Sequence, residues 1–120
     1  MKPNTCVWFE IPVSDLDRAR AFYGAVLGRE LVRNDDGPNP IVALTDMSDP
    51  GVSGHLYPGT PAAAGSGPPI HRAAPDGLEA TAARVRDAGG KVVSDPITIP
   101  SGSFFYATDP DGNSIGFFEG

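Results

Sequence analysis

The chain has 120 residues, 40% of them hydrophobic and 20% charged, a length and balance that suit one globular domain and exclude a disordered or fibrous chain. Its formal net charge of -6, with no run of Lys or Arg, argues against a nucleic-acid surface. The single cysteine, Cys6, excludes an internal disulfide framework; with no apolar leader and no run of about 18 apolar residues, the expectation is a cytoplasmic protein with no membrane partner.

In chain order, Val7, Phe9, Ile11 and Val13 alternate with Trp8, Glu10 and Pro12. This period of two predicts a half-buried strand whose apolar set meets a helix while Trp8 and Glu10 face away. Ser14 stands at the N-cap position, with Asp17 three residues on as a weak capping box. Leu16, Ala19, Phe22, Tyr23, Val26 and Leu27 then recur at helical spacing, and Gly28 supplies a left-handed stop. Glu30 to Val32 and Ile41 to Leu44 read as short strands, Asp46 to Gly51 as a turn, and Val52 to Tyr57 as a further strand weakened by Gly54. Pro58 to Pro69 has no periodicity and reads as a linker.

The order then repeats. Ile70 to Ala74 predicts a strand, and Asp76 with Glu79 a capping box. Leu78, Ala82 and Val85 form an apolar stripe that ends at Gly89-Gly90. Lys91 to Val93 is a strand, Asp95 to Gly102 a loop, and Phe104 to Ala107 a strand. The turn Asp109-Pro-Asp-Gly112 leads into the last strand, Ser114 to Glu119. Asp15 and Asp76 are 61 residues apart, as are Gly28 and Gly89, so cap and stop recur in register. The fold expected is α+β: two tandem β-α-β-β-β modules, residues 5–57 and 70–119 joined by 58–69, with curved sheets bounding an open cleft.

These residues resemble a known family. The segment from Asp15-Leu16 through Ala21-Phe22-Tyr23 to Leu27-Gly28 is similar to the first module of the vicinal oxygen chelate superfamily, the glyoxalase I, bleomycin-resistance and extradiol-dioxygenase relatives. Leu78-Glu79, Ala88-Gly89-Gly90-Lys91-Val92 and Asp109-Pro110-Asp111-Gly112-Asn113 followed by Ile115 resemble its second module. The Trp8-Phe9-Glu10-Ile11-Pro12 style is closest to small proteins described only as predicted glyoxalase-related enzymes. The resemblance implies a divalent metal held by His and Glu from four strands and acting as a Lewis acid. Counted from the motifs, three of those positions fall on Trp8, Ile70 and Gly116, and the fourth falls near Gly54 or His55. The expectation is therefore no metal ligand and no cofactor. Recruiting His55 and His71 beside Glu10 would require a bulge at each histidine, because one residue of offset reverses a strand side chain. His71 is otherwise read as a surface or helix-packed residue, and His55 stands open between a cleft-lining group and an exposed strand residue.

The candidate site is Trp8 as a stacking wall, Glu10 as hydrogen-bond acceptor or general base, and His55, Tyr57 and Phe118 as ligand-lining groups. Gly116 would leave room on the cleft floor. Cys6, with no basic neighbour, is read as a buried inert thiol. Three functions stay open. The first is a metal-free homodimer that sequesters or converts a small apolar or aromatic molecule, with Glu10 as the acid–base group. The second is a lyase or isomerase resembling lactoylglutathione lyase, with displaced ligands for Zn, Ni, Mn or Fe. The third is a structural module whose own aromatics fill the cleft.

Overall fold

A computed structural model describes residues 5–45 and 51–120, so most of the turn expected at 46–51 lies outside the described residues. The elements run β1 (Phe9–Val13), α1 (Leu16–Leu27), β2 (Arg33–Asn34), β3 (Ile41–Ala43), β4 (Gly54–Pro58), β5 (Ile70–Ala73), α2 (Leu78–Asp87), β6 (Lys91–Val92), β7 (Ile97–Ile99), β8 (Gly102–Thr108) and β9 (Ser114–Glu119). They form two mixed sheets. The first has the order β1-β4-β3-β2; the second has the order β5-β9-β8-β6, with β7 also on β8. In each sheet the strand that opens the half pairs in parallel with the strand that closes it, β1 with β4 and β5 with β9.

The first helix follows the sequence pattern: Leu16, Ala19, Phe22, Tyr23 and Val26 are its buried residues. Its cap is Asp15 rather than Ser14, because the Asp15 carboxylate accepts from Arg18 N at 3.0 Å while Ser14 is drawn to Asp111. In the second helix the capping box fails. Asp76 sits at φ 60 and pairs with Arg84 at 2.6 Å, and Gly77 takes the cap position without a side-chain bond. The free amide of Leu78 instead donates to Glu119 Oε2 at 2.9 Å, so the last strand caps α2 from outside. Gly89, at φ 98, closes this helix: Gly90 N reaches back to Val85 O at 2.9 Å.

Three strand readings change. The expected strand at 30–32 gives way to β2 at Arg33–Asn34, because Leu31 turns into the core and leaves Val32 71% exposed. Val7 is likewise exposed and precedes β1. The expected loop at 95–102 contains β7. Both β6 and β7 lie antiparallel on β8, but their registers differ by two residues, and Pro96, without an amide hydrogen, sits in the break.

Both helices press on the inner faces of the sheets and share one core, in which Ile11, Val13, Phe22, Leu56, Val85, Phe105, Ile115 and Phe117 are buried together. The seam between the halves is polar at one end. Asp109, 3% exposed, accepts from the Tyr23 hydroxyl at 2.7 Å and from Asn113 N and Nδ2, each at 2.9 Å. The Asn113 amide also donates to Pro12 O at 2.9 Å, which ties the end of β1 to the start of β9. Asp111 accepts from Ser14 N and Oγ and pairs with Arg18. The linker adds Gly65 N to Gly112 O at 2.9 Å, so it docks on the same turn. No helix among the described residues is long and apolar enough to cross a membrane.

Candidate functional site

With the inner faces filled, the outer faces carry the remaining chemistry. On the first sheet, Glu10 stands directly across from His55 and Pro12 across from Tyr57. His55 is therefore outward and Gly54 inward, with no bulge in the β1–β4 register. The Trp8 indole Nε1 donates to His55 Nδ1 at 2.9 Å, and His55 Nε2 lies 3.2 Å from Glu10 Oε1. An indole nitrogen can only donate, so Nδ1 accepts and the imidazole proton sits on Nε2, the nitrogen nearer the carboxylate. Tyr57 meets the His55 ring edge-on at 6.2 Å. The Glu10 side chain is 64% exposed and that of His55 15%. One carboxylate is thus open to solvent and oriented from behind by a histidine whose two nitrogens are both engaged. Such a group can accept a hydrogen bond or a proton from a molecule on this face.

On the second sheet the outward set is aromatic. His71 is opposite Gly116, which in turn faces Tyr106; Phe104 faces Phe118. The His71 ring meets Phe104 and Tyr106 at 5.2 and 5.5 Å, all at steep angles. It lies over Gly116, where an added methyl would overlap the imidazole. His71 is exposed, as a surface reading requires, but it stands on the outer face without any bulge; the inward residue of β5 is Ile70, packed against the core. The two-bulge requirement therefore falls, since both histidines already face outward in unbroken register. Phe118 is half-buried, its ring folded towards Gly102 and Gly120.

The structure thus groups Trp8, Glu10, His55 and Tyr57, and places Phe118 with the other aromatic set. No hydrogen bond or ring contact among the described residues links the two groups. Cys6 is exposed rather than buried, because residues 5–8, the described residues ahead of β1, belong to no strand; its thiol reaches Trp8 O at 3.8 Å. For the metal that the resemblance implies, no group of three His, Cys, Asp or Glu side chains gathers among the described residues, and His55 already spends both nitrogens. Among the described residues, the side chains do not fit a metal centre.

One charged residue escaped the sequence reading. Arg72 on β5 is 9% exposed, with its guanidinium 4.9 Å from the Tyr23 ring centre and 5.7 Å from that of Phe9. Burial lowers its pKa from the ordinary arginine value, partly offset by Tyr23 and Asp109; burial also raises that of Tyr23 well above the ordinary phenol value, against the pull of Arg72. The signal was the parity of β5, which sets Arg72 on the side of Ile70; a charge there needs partners from elsewhere, and the rings of Phe9 and Tyr23 come from the other half.

Two mixed sheets with a helix on the inner face of each, not closed into a barrel, define the glyoxalase/bleomycin-resistance class of fold. The sequence profile of the Glyoxalase/Bleomycin resistance protein/Dioxygenase superfamily matches residues 5–117, and the chain belongs to that family. A Mycobacterium bovis protein named "Putative glyoxylase CFP32" is 34% identical over 113 residues; the match covers 91% of this chain but 41% of the relative, so the chain spans about two fifths of it. A glyoxalase/bleomycin resistance protein from Albidiferax ferrireducens superposes with a TM-score of 0.73 at 24% identity, covering 96% of this chain and 98% of the other. TnmS3, an antibiotic binding protein from a Streptomyces species, gives 0.63 at 25% identity, covering 98% and 97%.

Proposed function

We propose that the protein binds a small apolar or aromatic molecule, without a resident metal, and sequesters it or converts it by acid–base chemistry at Glu10. The observation that carries this reading is the Trp8–His55–Glu10 relay on an open sheet face, one exposed carboxylate held beside two aromatic side chains. Trp8 and Tyr57 supply apolar walls, Glu10 the acceptor, and the aromatic face with Phe118 a stacking surface. That TnmS3 is an antibiotic binding protein supports small-molecule binding. The working form is a cytoplasmic homodimer: edge strand β7 leaves Ile97 and Ile99 39% and 40% exposed, apolar surface on an edge that a second copy would cover.

Trp8 is the only tryptophan, so its emission reports occupancy of this face directly. Titration with a panel of aromatic and aliphatic compounds should find one that quenches Trp8 and raises the melting temperature, with the effect weakened about tenfold or more in Glu10→Gln. If no compound quenches Trp8, or if Glu10→Gln binds as the parent does, the reading fails. A second reading is a divalent-metal-dependent lyase or isomerase with displaced ligands: His55 and His71 both face outward, although no three ligating side chains gather among the described residues. Elemental analysis of protein offered Ni, Zn, Mn and Fe separates the two: near-stoichiometric metal overturns the first reading and supports the second.

A further inference from the structure

A cavity of about 530 Å³ lies away from the Trp8–Glu10–His55 face, between the entry to β1 and β4 and the edge of β5. Its walls include Phe9, Leu44 and Val52, together with Arg29, His71 and Arg72. In a chain of net charge -6, this wall carries two arginines and a histidine and, among the described residues, no carboxylate. Arg72 is the unusual member. Its Nη1 donates to Ile70 O at 3.1 Å, while Nε and Nη2 are buried with no hydrogen-bond acceptor among the described residues. A guanidinium presents its donors as a fork matched to a carboxylate, and two buried donors left unpaired are a standing cost.

We propose that this cavity binds a small monocarboxylate with an aliphatic body, its carboxylate on Arg72 and its chain against Phe9, Leu44 and Val52. The volume is in the range of small-ligand pockets. Nε and Nη2 are sealed from solvent, so binding requires the guanidinium to tilt off the Phe9 ring, the more distant of its two aromatic contacts. Arg29, whose Nη1 donates to Thr45 Oγ1 at 3.0 Å, adds positive charge at the wall without being the anchor. The site is independent of the Glu10 reading, and either can fail alone.

The test compares hexanoate with hexan-1-ol at millimolar concentration, read by melting temperature and by ligand-observed NMR. Hexanoate should bind and stabilise the protein; hexan-1-ol, of equal length and uncharged, should be weaker by about tenfold or more. Arg72→Met should remove the difference. Val52 is 42% exposed, so Val52→Trp can block the cavity without disturbing the core and should also abolish hexanoate binding, which keeps the test decisive if Arg72→Met does not fold. Glu10→Gln should bind hexanoate as the parent does. The proposal is overturned if hexanoate and hexan-1-ol behave alike, if hexanoate binding survives Val52→Trp, or if it is lost in Glu10→Gln and kept in Arg72→Met.

Discussion

The two sheets share one pairing plan, to which the second adds β7, but present different chemistry outward. The first face is a polar cluster in which Trp8 donates to His55 and His55 lies beside Glu10; the second is a group of rings, His71, Phe104 and Tyr106, closed over a glycine. The inner faces do not differ in this way. Both are filled by aliphatic and aromatic side chains under a helix, because each helix must bury its stripe on its own sheet. Packing holds the inner face to one solution, and the outer face is free of that constraint. The helices differ as well: α1 is capped by its own Asp15, and α2 by Glu119 from the far end of its half.

The largest expected effect comes from breaking the seam that holds the two faces in place. Asp109→Ala removes a buried acceptor of the Tyr23 hydroxyl and the Asn113 amide and should cost about 3 kcal/mol or more in urea unfolding. A loss below about 1 kcal/mol would mean that the halves hold together by apolar packing alone.

Gly116→Val should damage the second face and spare the first. Its side chain collides with His71, an overpacking expected to cost about 1–3 kcal/mol and to displace the imidazole from Phe104 and Tyr106. Trp8 emission should stay unchanged. A shift in that emission would show that the two faces are coupled.

Tyr23→Phe should cost about 1 kcal/mol at neutral pH and change the alkaline limb. The folded pKa of Tyr23 is raised by burial, so the folded chain keeps its proton while the unfolded chain loses it above pH about 10. Stability therefore falls as pH rises beyond that point, and the fall should be shallower in Tyr23→Phe, measured as melting temperature from pH 9 to 11.5. Equal slopes would assign the fall to other groups.

The smallest effect sharpens the contrast between the helices. Glu119→Gln weakens the acceptor at the Leu78 amide and should cost about 0.5–1 kcal/mol, in the range of an ordinary cap. Asp76→Asn, at the position the capping box suggested, should change stability by less than about 0.5 kcal/mol, since among the described residues the Asp76 side chain makes an exposed pair with Arg84 and no other.

Much of the candidate site was legible in β1. The alternation of Phe9, Ile11 and Val13 with Trp8 and Glu10 predicted which side chains leave the core, because parity in a strand is local. What failed was counting at a distance. Motif spacing assigns Ile70 an outward position and His71 a bulge, yet the pairing of β5 with β9 turns His71 outward directly. Register between strands far apart in sequence is set by their packing, and a motif count cannot fix it to one residue. Asp109 read as a turn residue for the same reason: the hydroxyl that makes it a buried hub lies on α1, 86 positions away.

The two helices and their repetition can be read from the chain alone: the spacing of apolar residues sets the helices, and Gly28 and Gly89 end them in matched places, because both signals act within one or two turns of chain. It takes the packed fold to make Glu119 cap α2, to hold His55 between Trp8 and Glu10, and to bury Arg72 between Tyr23 and Phe9. Each of these joins residues distant in the chain, and the free energy of a buried charge or a capped amide depends on partners that only the packed fold brings within reach.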